Sequence, residues 1–229
     1  MRLYATLLLF ISIFLVHAQQ PKMYFDMQLS KHLKAYKTQS EVAIENNDKA
    51  HAEFLFDSLF NNHLKLSYIS EMTLNKVNGG QLNTADVDHA FLLITKSAWE
   101  QIDEKEIEAI NRMSKMYKGQ VDIVVLFWTS RSIAKKRGSD FSSLVTVTYV
   151  DERDNNANHI IKPYKHSFGA PTCFFISENK QLLDIDRKFT ANLNLEDSEL
   201  AFESAHQQIK KLILFNDEAT NEGIITTLN

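Results

Sequence analysis

The sequence predicts an α/β fold: a central mixed β-sheet with helices on both faces, preceded by a helical N-terminal extension. Three observations carry this. Apolar runs of strand length recur at 91–95, 121–128 and 172–176. Amphipathic stretches of helical period at 99–117 and 196–215 alternate with them. The turn Glu178-Asn179-Lys180 joins the third run to a partner at 181–186. Strands separated by helices call for parallel crossovers, whereas a hairpin adds an antiparallel edge.

The elements follow in order. Residues 1–18 have the pattern of a secretory signal peptide: Arg2, an apolar run from Leu3 to Val16, and Val16-His17-Ala18 before the cleavage point. The run is short for a bilayer span, which needs ~20 residues. Cleavage leaves 211 of the 229 residues, and loss of Arg2 takes the formal charge from −4 to −5. Residues 19–66 form the extension. Leu29, Leu33 and Tyr36, then Phe54, Leu55 and Leu59, recur at helical spacing, and Asn46-Asn47-Asp48 splits the stretch with Asp48 as N-cap of the second helix. The first helix is polar over most of its surface and suits a spacer, a partner-binding arm or an edge helix.

The main domain is placed at 67–215. Residues 67–77 are expected to be extended, with Asn78-Gly79-Gly80 as a turn. Phe91–Thr95 suits a strand buried on both faces. The helix at 99–117 presents Ile102, Ile110, Met113 and Tyr117 as one stripe, and Gly119 stops it. Val121–Trp128 is the strongest strand. A short basic helix within 129–141, a strand at 144–150 and a helix near 157–167 around Pro163 come next. The final helix at 196–215 carries Leu200, Phe202, Ala205, Ile209, Leu212 and Ile213, and residues 216–229 are expected to form a loose tail.

Composition excludes several function classes. A mildly acidic chain without a dense basic patch offers no footprint for nucleic acid. The single cysteine, Cys173, rules out an internal disulfide and a cysteine-borne lipid anchor at the cleavage point. The histidines show no metal-ligand spacing, although His159 and His166 lie seven apart and could share a helix face. No P-loop, dinucleotide fingerprint or Gly-x-Ser-x-Gly elbow is present. No metal and no cofactor is expected.

Two segments resemble the thioredoxin fold, and the TlpA-like periplasmic redoxins in particular. The first is Phe91-Leu-Leu-Ile-Thr-Lys-Ser-Ala-Trp99-Glu100-Gln-Ile-Asp103, an apolar strand running into a Trp turn and an acidic helix. The second is Gly169-Ala170-Pro171-Thr172-Cys173-Phe174-Phe175-Ile176. In that family, Trp precedes Cys-x-x-Cys, and a cis proline opens the later strand. The resemblance implies a thioredoxin-like three-layer sandwich and a periplasmic address. It also implies a peptide-binding edge formed here by Trp99, Ala170, Pro171 and Thr172. The two cysteine positions would hold Glu100 and Asp103. Thiol exchange needs a thiolate and a resolving thiol, which carboxylates cannot replace.

Glu100 and Asp103 admit two readings. One is a carboxylate pair at the old redox position. The other is helix initiation, with Ser97 as N-cap and Glu100 closing a capping box, and Asp103, Glu104 and Glu106 favouring the positive end of the helix. Cys173 is either a reactive monothiol beside the groove or a buried, inert residue on a Phe-rich strand. Trp99 is either a surface aromatic at the groove or a partly buried one. Trp128 is expected in the core, and Lys135-Lys136-Arg137 on a solvated helix face. The sequence therefore favours an exported, redox-inactive module that binds an extended peptide or an envelope protein. A thiol-disulfide oxidoreductase or redox sensor working through Cys173 is the alternative. A third reading makes the N-terminal arm the working part of an envelope assembly protein.

Overall fold

The computed structural model describes residues 22–153, 157–194 and 198–227, so residues 1–18, expected to be a signal peptide, lie outside the described residues. Seven strands form one mixed sheet in the order β2-β1-β5-β4-β3-β6-β7. They are β1 (Thr73–Lys76), β2 (Gln81–Asn83), β3 (Ala90–Ser97), β4 (Val121–Trp128), β5 (Val145–Val150), β6 (Thr172–Ile176) and β7 (Leu182–Asp186). β3, β4 and β5 pair in parallel; β6 runs antiparallel to β3, and β7 to β6. β1 and β2 form a hairpin that caps the other edge against β5. Its turn holds Gly79 and Gly80 at φ +99° and +76°, a backbone region that residues with a Cβ enter at a cost.

Among the described residues, seven helices cover the sheet: α1 (Phe25–Glu45), α2 (Lys49–Leu59), α3 (Glu104–Met116), α4 (Arg131–Arg137), α5 (Asn158–Ile161), α6 (Phe189–Leu193) and α7 (Ser198–Thr227). Wide π-helical turns extend α2 over Phe60–Leu64 and α5 over Lys162–His166. Every residue of β3 is buried. Alternate side chains therefore feed two separate cores. Phe91 and Leu93 pack with α1, α2 and α5, and Leu92 and Ile94 pack with α3, α4, α6 and α7. The result is a three-layer sandwich, and the two helical layers are held apart by the sheet.

The extension forms part of one layer. Phe25 is fully buried and Leu29 nearly so. Phe25 stacks against Phe168 and meets Tyr164 and Phe174, so α1 is packed on residues of the sheet and of the later helical turn. The backbone joins it as well: Phe25 N–H donates to Tyr68 O at 2.8 Å, and Tyr68 N–H to Met23 O at 2.8 Å. Residues 66–69 then cover the outer edge of β7 through Leu66 N–H to Leu182 O and Leu182 N–H to Ser67 O, which protects an otherwise open strand. Asp48 caps α2 as expected, accepting from His51 N–H at 2.9 Å.

Three expectations are corrected. The helix expected from residue 99 starts at Glu104, with Asp103 rather than Ser97 as its N-cap, because the side chain of Asp103 accepts from Lys105 N–H. Residues 98–103 are left as a loop, and Ile102 lies outside the helix. The segment from Asn216 continues α7 to Thr227 instead of forming a loose tail; it carries helix formers and meets no glycine before Gly223. Leu200, assigned to the apolar face of that helix, is 66% exposed. The sequence also missed β2 and α6, both too short to show a period.

If α1 is integral to the sandwich, Phe25→Ala should lower unfolding free energy by about 3–5 kcal/mol, the usual cost of emptying a buried aromatic site. Denaturant titration of the full chain checks this. A loss below ~1 kcal/mol would mean that the helix docks without contributing to the core.

Candidate functional site

Antiparallel pairing brings the two motif segments together. Thr95, near the end of β3, lies opposite Thr172, which opens β6. The buried Thr95 hydroxyl accepts from Thr172 N–H at 3.2 Å and donates to Thr172 O at 3.1 Å. The Thr172 hydroxyl in turn donates to Gly169 O at 3.2 Å. Two threonines thus fasten the 169–172 loop to the strand that leads into the Trp99 turn. The Ala170–Pro171 peptide bond is cis.

The turn itself is organised by a residue the sequence reading did not single out. Lys96 sits on the α3 side of β3, in step with Leu92 and Ile94, and is fully buried. Its ammonium lies 2.7 Å from Glu100 Oε1 and 2.6 Å from Glu106 Oε1. Glu106 is itself only 1% exposed, and Glu100 18%. Glu100 Oε2 also accepts from Ser97 N–H at 3.3 Å, and Arg137 donates to Glu100 O at 3.1 Å. One contact of the expected capping box therefore exists, but it closes a non-helical turn. Glu100 is an inward-facing anchor, and Asp103 is a helix cap.

Two carboxylates face one ammonium, so full ionisation would leave net negative charge in a low-dielectric site. Burial raises the Glu106 carboxyl above its ordinary range, over the opposing pull of Lys96; the charge of Glu100 pushes the same way, and Asn194 hydrogen-bonds against it. A carboxyl raised by folding adds stability at low pH and loses that contribution as pH rises through its folded value. A sequence signal did exist for Glu106: it falls on the 106–110–113–117 stripe, whose other members are buried and apolar. Lys96 carried a weaker one, ending an apolar strand at an inward position.

Cys173 lies opposite Ile94 and is fully buried. Burial first, then Asp186 and Asp184, push its thiol well above the ordinary value, against a smaller opposite pull from Lys96. A thiolate, the nucleophilic form, is therefore strongly disfavoured there.

Trp99 behaves differently from its neighbours. It is 74% exposed, and the Lys165 ammonium stands 5.7 Å from its ring centre. Lys165 is also paired with Glu152. A cleft of about 300 Å³ opens beside Trp99, lined also by Ser130, Ile133, Asp151 and Arg153. Trp128 forms part of its wall but is 1% exposed, as expected for a core residue. Ala170 and Pro171 are partly buried and do not line this cleft, and Thr172 is 1% exposed. Of the four residues expected to bind, only Trp99 presents a large open surface. Among the described residues, no cluster of three His, Cys, Asp or Glu side chains could hold a metal.

No protein-family model matches the sequence, and no curated protein matches it. Solved structures do. A putative thiol:disulfide interchange protein DsbE from Chlorobium tepidum superposes with a TM-score of 0.50 at 18% identity, covering 65% of this chain and 97% of that one. The exposed lipoprotein thioredoxin Etrx1 from Streptococcus pneumoniae gives 0.48 at 13% identity, covering 62% and 100%. A thiol:disulfide interchange protein from a Bacteroides species gives 0.48 at 13%, covering 65% and 90%.

Replacing Lys96 by Met strands two inward carboxylates, and the expected loss is about 3–5 kcal/mol at pH 7. With the ammonium gone the Glu106 pKa rises further, so the deficit should shrink on acidification towards the unperturbed carboxyl value of 4.5. Unfolding titrations across that range check both statements; a deficit independent of pH would contradict the charge argument. Cys173 should be inert to a chromogenic disulfide reagent in the native protein and react at once in denaturant, and rapid native labelling would show an accessible thiol. The chain has a thioredoxin-like fold and no Cys-x-x-Cys motif.

Proposed function

We propose that this protein is a redox-inactive thioredoxin-like module of the cell envelope that holds an extended peptide or partner segment at the Trp99 edge. The observation that carries the reading is the contrast within a single turn. Glu100 is drawn inward by Lys96, while the adjacent Trp99 projects into solvent beside a cleft. Exposed tryptophan supplies a large apolar face with a polar edge, a combination favoured in recognition. The chain has no second thiol to resolve a mixed disulfide, so contacts with a partner are noncovalent and short-lived. The apolar leader at 1–18 supports export, and with it a periplasmic location. No described helix is long and apolar enough to cross a membrane.

The Cys173 oxidoreductase or sensor reading lacks such support, because the thiol is buried and held protonated. The reading in which the N-terminal arm is the working part meets the burial of Phe25 and Leu29 within the sandwich.

A random-peptide array probed with the purified chain tests the proposal. Bound sequences should be extended and weak, and Trp99→Ala should reduce their affinity at least about tenfold, roughly 1.4 kcal/mol, without changing the melting temperature. Absence of any bound sequence, or binding that Trp99→Ala leaves intact, would overturn it.

A further inference from the structure

In the layer of α1 and α5, a second cleft lies between α1 and the α5 turn, with a volume of about 370 Å³. Its floor is apolar: Leu29 is 2% exposed, Leu33 packs against the core and Pro163 is buried. The rim carries two lysines and two histidines. Lys37 comes from α1, and Lys162, His159 and His166 come from the α5 turn. The seven-residue spacing of the two histidines thus places both on one cleft. Lys37 Nζ donates to His166 O at 3.0 Å, tying the two walls together. The carboxylate at the site, Asp26, is engaged by Ser70 Oγ at 3.1 Å and by Met27 N–H at 2.9 Å.

We propose that this cleft binds a small amphipathic carboxylate: one carboxylate group on a compact apolar body. The lysine ammoniums at the rim complement the acid, and Leu29, Leu33 and Pro163 receive the body. The volume lies within the range of about 300–1,000 Å³ found for small-molecule sites. At roughly 30 Å³ per water-sized group, it has room for about a dozen non-hydrogen atoms, which excludes a long acyl chain lying wholly inside. The site shares no lining residue with the Trp99 cleft, although Lys165 of the α5 turn also stands over the Trp99 ring. α1 and the α5 turn build it, and neither carries the Trp99 turn.

Calorimetric and amide-shift titrations of the full chain with 3-phenylpropionate, octanoate and 3-phenylpropanamide provide the test. Saturable binding of either acid is expected, with shifts centred on residues 29–37 and 159–167. The neutral amide should bind at least about tenfold more weakly. The double variant Lys37→Gln/Lys162→Gln changes only exposed side chains, so it should fold normally and lose about tenfold in affinity for the acid. Leu33→Trp should fill the floor and abolish binding of acid and amide together. The proposal is overturned if neither acid saturates by about 10 mM, if the amide equals the acid, or if the lysine variant binds unchanged.

Discussion

The buried ammonium of Lys96 organises the end of the sheet where the candidate site lies. A lysine without solvent exposure is tolerable only with a charged partner at contact distance, and here Glu100 and Glu106 supply two. Each reaches it from a different element, Glu100 from the loop after β3 and Glu106 from the first turn of α3. The three charges therefore set where α3 begins relative to the strand. They also explain why residues 98–103 stay out of the helix although their composition suits one: the Glu100 side chain is committed to the lysine and to Ser97 N–H. Trp99, beside the inward-facing Glu100, projects into solvent.

Such a cluster is not an inexpensive way to stabilise a fold. Desolvating three charges costs as much as their attraction returns unless geometry is close and further hydrogen bonds contribute. An apolar residue in place of Lys96, with matching apolar partners, would serve stability as well. What the ion cluster adds is position. It demands a particular loop path and a particular helix start. Cys173, on the neighbouring strand β6, is pushed well above the ordinary thiol value by its burial and by Asp186 and Asp184, and Lys96 opposes that shift.

The opposite layer follows a different logic, with aromatic packing instead of charge. Phe25, Tyr164, Phe168 and Phe174 meet edge to face or stacked across three separate segments. The N-terminal extension is thereby packed onto the sheet, and the polar face of α1 is its solvent side. The cleft between α1 and the α5 turn is bounded by this docking, with Leu33 and Pro163 among its lining residues.

The sequence by itself determined the strands and most helices, because burial on both faces or on one stripe writes a period into local residues. Val121–Trp128 and Thr172–Ile176 match their sequence bounds for that reason, and Asp48 and the Gly79-Gly80 turn are equally local. It also determined that the chain carries one cysteine and no Cys-x-x-Cys motif, since a count suffices. What only the tertiary structure decided is which side chains meet. A carboxylate in a first helical turn looks the same whether it faces solvent, like Glu104, or a buried lysine, like Glu106. The start of α3, the inward turn of Glu100, the exposure of Trp99 and the burial of Cys173 all depend on residues brought together from distant segments, and no local pattern encodes their distance.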